Sequence, residues 1–443
     1  MRLPEPGSLR ALTVALDPAE AAVHLSSAPG AGGFRFLSAD GLSFAGTGVT
    51  TLLALADGLD DPPALDDVVG WLRGVPHDDR VGRPGSAVSA HGALPFERGA
   101  TGRLLVPHLT VAVDADGRAW ATAVSRADRP LDEPGLRSLL ASVLDPGEQA
   151  RSGTTEKPAT VSVTAVPSPA DHARSVSTAL DAIGRGTLQK VVLARRLDVE
   201  IAVPPAVGDV LQRLRAQEPA CTVFATPLPE GWFVGASPEL IVRRRAARVQ
   251  SHPLAGTVGL SGTAADEQAV CELLESKKEL AEHELVVEAI AAALRRYCDR
   301  LEVPATPALV RLQSVAHLGT ALDGHLASPD GPAHALALLA ALHPTPAVAG
   351  VPRPEALAMI SQLEPGSRGQ WAGPVGWVDA SGDGEWMLGI RSATLSGTRA
   401  VLWAGGGIVA GSLPADEVAE TTVKLVPVLE AVAPGAGRLL QRP

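Results

Sequence analysis

Hydrophobic positions change their rhythm along this chain. Residues 1 to about 145 hold short alternating runs, such as GFRFLSADGLSFAGTG and GRLLVPHLTVAVDADGRAWATAV, with DG and SG between them. Alternation with a period of two, punctuated by such pairs, predicts antiparallel hairpins. A helix is expected near TTLLALADGL. Residues 145–168 are polar and rich in Gly, Ser, Thr and Pro, and read as a surface connection. The second half differs. PADHARSVSTALDAIGRG predicts a helix closed by glycine, and TLQKVVLARRLDVEI a strand. FATPLPEGWFVGASPELIVRRR predicts a pair of strands around a PEG turn. From ADEQAVCELL to LRRYC the pattern predicts one long helix, with Val286, Ala289, Ile290, Ala293 and Leu294 as its apolar stripe. GPVGWVDASGDGEWMLGIRSATLSGTRAVLWAGGGIVAG reads as three strands, and a last helix runs from Pro414 to about Val432. Long antiparallel runs mixed with a few long helices predict an α+β fold: large, mainly antiparallel β-sheets packed with helices, rather than a doubly wound sheet.

Composition narrows the function classes. The 443 residues are 46% hydrophobic and 20% charged, as in an ordinary globular protein. A net charge of -11 argues against a nucleic-acid or anionic-membrane surface. It leaves room for a small anionic substrate in a locally basic pocket. Three scattered cysteines, Cys221, Cys271 and Cys298, make neither a disulfide framework nor a zinc pattern. No secretory signal and no 18-residue apolar run is seen, so a cytoplasmic protein without a membrane span is expected.

Candidate chemistry lies in the second half. Lys190 sits in the apolar segment KVVLA; it is either a lysine snorkelling from a strand edge or a desolvated base. Glu239 ends GASPE, where an exposed turn carboxylate is the ordinary alternative. Ser237 precedes a proline and is not in a GxSxG elbow, so a serine hydrolase is discounted. Glu279 and Glu282, and again Glu417 and Glu420, are spaced i,i+3 and share a helix face. Both pairs could be solvated, with Glu420 and Lys424 forming an i,i+4 pair. If all four converge in a core they require a cation, since an unpaired buried carboxylate costs several kcal/mol. HELVVE lacks the second histidine of a zinc-protease motif. The glycine run Gly405–Gly407 could offer backbone N–H groups to an anion, and Arg391 and His317 could be satisfied core groups.

KVVLAR, GASPEL, PLAGT, SKKELAEHELVV, HLGT, LHPTPAVAG, GPVGW, GDGEWMLGIRSA, AGGGIVAGS and EVAETTVKL, in this order, resemble the chorismate-utilising enzymes. These are the anthranilate, aminodeoxychorismate, isochorismate and salicylate synthases. The resemblance covers roughly residues 166–430 and implies the aminodeoxychorismate synthase-like fold. It divides the chain into a β-rich region 1–165, integrated into the same fold, a chorismate-binding catalytic region 166–432 and a tail 433–443.

Within the family, isochorismate synthases carry a lysine regarded as the base for water and a GASPE glutamate as the acid, matching Lys190 and Glu239. Some aminodeoxychorismate synthases have a nucleophilic lysine in PIKGT; here the block is PLAGT, with Ala255 in its place. Ammonia-using members typically have glutamine at the Lys190 position, so no glutaminase partner is expected. Salicylate synthases share the lysine and glutamate, but LHPTPAVAG and GDGEW resemble isochorismate synthases. The resemblance thus implies reversible, Mg²⁺-dependent isomerisation of chorismate to isochorismate. The use of the product, in menaquinone or in siderophore and salicylate synthesis, stays open. Glu282 and Glu420 would hold Mg²⁺, with Glu279 and Glu417 nearby or acting through water. Gly256, Thr257, His317, Thr345, Trp371, Arg391, Gly406, Gly407 and Lys424 would contact substrate. Trp371 is a departure, since many relatives have Tyr or Phe there. Relatives that use water are often monomers, so a monomer is expected.

Overall fold

The computed structural model describes residues 5–30, 32–143, 160–328 and 331–440. Most of the expected connection at 145–168 lies outside the described residues; its last part, Thr160–Val166, is a strand. Among the described residues, ten α-helices pack around one hydrogen-bonded sheet of twenty strands and a separate sheet of three. The pairings are antiparallel except that of Leu9–Leu16 with His77–Asp79. No helix among the described residues is long and apolar enough to cross a membrane.

The first third is woven into the rest. Phe34–Leu37 pairs with Thr222–Leu228, and Ser89–Ala93 pairs with Pro374–Asp379. Phe34, Phe44, Phe224, Phe233 and Trp377 then share one apolar core across that seam.

Lys190–Ile201 is an internal strand. One edge pairs along its whole length with Arg399–Val409. The other pairs with Thr160–Val166 at Arg196–Ile201 and with Gly350–Val351 at Lys190 and Val191. The helices Lys277–Leu294 and Pro414–Val432 both pack on Arg399–Val409 and on Leu254–Gly259, the latter a strand of the small sheet. This arrangement brings the two Glu-bearing helices against the glycine-rich strand.

Four local expectations are corrected. The single long helix is two, Ala265–Glu275 and Lys277–Leu294. Ser276 leaves helical geometry and its hydroxyl accepts the Glu279 N–H, so SKKE begins like a capping box. The region 373–411 holds four strands, because Gly389–Arg391 interrupts Gly384–Leu388 and Ser392–Ser396. Pro238 divides a third strand, Leu240–Arg245, from Gly231–Ser237. TTLLAL is the end of strand Ser43–Leu55, where Thr51, Leu53 and Leu55 are buried and Leu52 and Ala54 exposed. That period of two outweighs helix propensity. The helix follows at Pro62–Arg73, capped by Asp61.

Candidate active site

A cavity of about 70 Å³ opens between the large sheet, the small sheet and the two helices. Val192, Glu239, Ala255, Gly256, Thr257, Glu282, His317, Trp371, Arg391, Gly407, Glu420 and Lys424 all line it. Residues 190 and 192 share a strand face, which directs Lys190 to the same side as Val192. The lysine is fully buried, far from the sheet edge that a snorkelling side chain would need, and its Nζ lies 2.9 Å from Glu282 Oε1.

Glu239 is 4% exposed, at the break between two strands. Burial pushes its carboxyl up to about 8, opposed by the Lys190 charge, the Leu254 N–H and Lys424. It is therefore a protonated acid at neutral pH. Ser237 donates its hydroxyl to the Leu388 carbonyl at 2.6 Å, in keeping with a structural serine.

Arg391 is held in the left-handed region (φ 51°) where the strands break, and it is 7% exposed. Its Nη2 lies 3.1 Å from His317 Nε2, and His317 Nδ1 lies 3.0 Å from Thr257 Oγ1. A guanidinium only donates, so Nε2 is the acceptor and the neutral ring carries its proton on Nδ1. Burial, then Arg391 and Lys424, hold that ring well below the usual histidine range. Arg391 Nη1 and Trp371 Nε1 are buried without a hydrogen-bond partner. Both are donors beside the cavity. Trp403, which the sequence reading passed over, also lines it and stacks on Trp371 at 5.8 Å. Only the fold joins these two rings, 32 residues apart.

The four glutamates meet around the glycine strand. Lys278 Nζ is 3.2 Å from Glu279 and 3.5 Å from Glu417, while Lys424 Nζ donates to Glu420. Glu279 also accepts the Thr257 N–H at 3.1 Å. Burial and Glu282 raise Glu279; burial and Glu420 raise Glu417. The run Gly405–Gly407 is continuous strand, paired with Leu193 and its neighbours, rather than an anion-binding loop. Its lack of side chains makes the space: a Cβ at Gly407 would lie 2.1 Å from Glu282 Oε1, and one at Gly406 2.6 Å from Glu417 Oε2. Gly406 itself does not line the cavity, and neither does Thr345, whose carbonyl accepts the Val348 and Ala349 N–H groups.

Among the described residues no three His, Cys, Asp or Glu side chains form a finished metal cage. The donor set nevertheless fits a hard cation. It is all oxygen, its carboxylates repel one another, and Glu417 Oε2 is buried without a partner.

The protein class follows from this fold and cavity together with its sequence: residues 96–433 match the family model described as chorismate binding enzyme, and the chain belongs to that family. The match begins some 70 residues upstream of the resemblance found by motif. DhbC of Bacillus subtilis, an isochorismate synthase, is 41% identical over 275 residues, covering 60% of this chain and 69% of DhbC. The structure of MenF, the menaquinone-specific isochorismate synthase of Escherichia coli, superposes with a TM-score of 0.78 at 25% identity, covering 98% of this chain and 96% of MenF. Anthranilate synthase component I of Streptococcus pneumoniae shares the fold, with a TM-score of 0.66 at 22% identity, covering 95% of this chain and 92% of its own.

Proposed function

We propose that this protein is an isochorismate synthase that adds water at C2 of chorismate and expels the C4 hydroxyl. The observation that carries this reading is the pairing of buried Lys190 with a buried, protonated Glu239 at a cavity where position 255 is alanine. With no amine at 255, and lysine rather than glutamine at 190, water is the nucleophile of this reading.

Lys190 takes a proton from water as the water oxygen bonds to C2. The ring double bonds shift, and the C4–O bond breaks. Glu239 gives its proton to the departing hydroxyl, which leaves as water. This chemistry requires the acid and base to start in opposite states. In the reverse direction they exchange roles, so the isomerisation is reversible. Arg391, oriented by His317 and Thr257, offers its unpartnered Nη1–H to a substrate carboxylate. Lys424 supplies a second cation, and Trp371 and Trp403 form the apolar wall that excludes bulk water. Glu282 and Glu420, with Glu279 and Glu417, are the residues that would hold Mg²⁺. When bound, the ion would neutralise these carboxylates and bind the ring carboxylate of the substrate.

Incubation with chorismate and Mg²⁺ in ¹⁸O-water tests the assignment. Chromatography should show isochorismate as the product, labelled at the C2 hydroxyl, and EDTA should stop its formation. Salicylate as the end product, anthranilate in the presence of ammonium, or an unlabelled C2 oxygen would each overturn it.

A further inference from the structure

The strand that carries Lys190 has a gap along one edge. Gly350–Val351 covers Lys190 and Val191, and Thr160–Val166 begins only opposite Arg196. Val192 and Ala194 face the gap with backbone groups that need partners inside a protein. The Val192 N–H reaches the Ala349 carbonyl at 2.8 Å. Two side chains meet the others. Glu364 Oε1 accepts the Ala194 N–H at 2.8 Å, and Arg368 Nη2 donates to the Val192 carbonyl at 2.9 Å.

These two side chains form one buried unit. Arg368 Nε donates to Glu364 Oε2 at 2.8 Å, and both side chains are 1% exposed. Arg368 Nη1 also donates to the Val348 carbonyl at 2.7 Å. Its guanidinium lies 5.0 Å from the Trp371 ring centre and 4.3 Å from that of Phe96. The pair therefore touches three parts of the cavity wall from behind: Val192, Val348 and Trp371. None of its polar atoms contacts the cavity itself, and the mechanism above makes no use of them.

A buried ion pair is a poor device for stability alone, because well-packed apolar side chains do as well or better. What it supplies here is directional. Two backbone carbonyls and two rings are met by a single planar fork whose geometry a lysine cannot reproduce, and the carboxylate bound to that fork holds a third backbone group. We propose that Glu364 and Arg368 are positioning residues that act as a two-side-chain strand segment, locking the Lys190 strand in register with the wall opposite the reacting ring. The proposal rests on the reading of Lys190 as base.

The test compares Glu364→Gln, Arg368→Lys and Lys190→Ala in the full-length enzyme with Mg²⁺. Glu364→Gln keeps an acceptor for Ala194 and loses the charge; Arg368→Lys keeps the charge and loses the fork. Turnover is normalised to sites that bind chorismate, counted by quenching of tryptophan fluorescence, so unfolded protein does not enter. A displacement of the base by about 1 Å costs on the order of 100-fold. Both variants should therefore lose about ten- to a hundred-fold in kcat, with KM within about twofold of the parent. If Arg368→Lys does not fold, Glu364→Gln decides. Normal kcat per binding site in Glu364→Gln, or a rise in KM with kcat held, overturns the positioning role. Lys190→Ala separates the two readings. If it is inert while both other variants turn over normally, only the positioning role falls. If Lys190→Ala turns over normally, the base assignment falls and this proposal with it.

Discussion

Two acidic clusters in this molecule are built on opposite principles. Outside the cavity lining, Asp379, Asp383 and Glu385 each have several donors. Glu385 accepts from Arg243 Nε at 2.8 Å, Arg245 Nη2 at 2.9 Å and Ser38 Oγ at 3.3 Å. Asp383 accepts from Arg244 Nη1 and the Ala246 N–H, and Asp379 from the N–H groups of Gly85, Ser381 and Asp383. At the cavity, Glu417 Oε2 and Arg391 Nη1 have no partner, and the glutamates share lysine Nζ groups rather than guanidinium forks. The first cluster completes itself; the second is left incomplete where a ligand would finish it. Buried charge alone does not mark a site. Charged groups left without partners around one cavity do.

The sharpest break between the two kinds of charge comes from Lys190→Ala. General base catalysis contributes about 10²–10⁴-fold, so isochorismate formation should fall by at least about 100-fold while cooperative melting persists. Near-normal turnover would remove Lys190 as base.

Next comes the acid. Glu239→Gln should bind chorismate and lose turnover. In the parent enzyme kcat/KM should fall tenfold per unit once the pH passes about 8, as the carboxyl of the free enzyme ionises. The sign for stability agrees. The folded-state value lies above the usual glutamate value, so its contribution is complete at acid pH and disappears as pH rises through about 8. Denaturant titration between pH 5 and 9 should show that decline in the parent and a flatter profile in Glu239→Gln.

The self-completed cluster should respond in the opposite sense. Glu385→Ala leaves Arg243 and Arg245 without their buried counter-charge, at a cost of about 3–5 kcal/mol. Turnover of the folded fraction should not change. Glu417→Gln is the smallest expected effect on stability, within about 0.5 kcal/mol or slightly stabilising, because it relieves a carboxylate crowded by Glu420. Its activity should nonetheless be lost. Urea curves read beside chorismate turnover would separate the two clusters, and a large destabilisation by Glu417→Gln would erase the contrast.

Much of the site was legible because it is carried by residues whose local setting is distinctive. Lys190 in an apolar run, the paired glutamates and the helix opened by Pro414 all stand in the structure as elements of the expected type. What local pattern could not reveal was decided by contacts distant in sequence. The glycine run could have offered its N–H groups to an anion, but pairing with Leu193 and its neighbours commits it to a strand. The break that turns Arg391 into the cavity arises where Gly389 bonds Gly373 and the chain must bend. Glu364 and Arg368 resemble any i,i+4 surface pair until Ala194 and Val192, some 170 residues earlier, come to lie beside them. Ser276 is the exception: SKKE was readable as a helix start and was lost within a longer apolar stripe.

The glycine strand carries a last consequence. At Gly407 the missing methyl is a keyhole, since any side chain there would occupy the place of the Glu282 carboxylate. A chain could keep all four glutamates, Lys190 and Glu239, and be silenced by a single added carbon at that position. Among related sequences, a count of intact acidic residues would then score a dead protein as an enzyme; the glycines are the first letters to check.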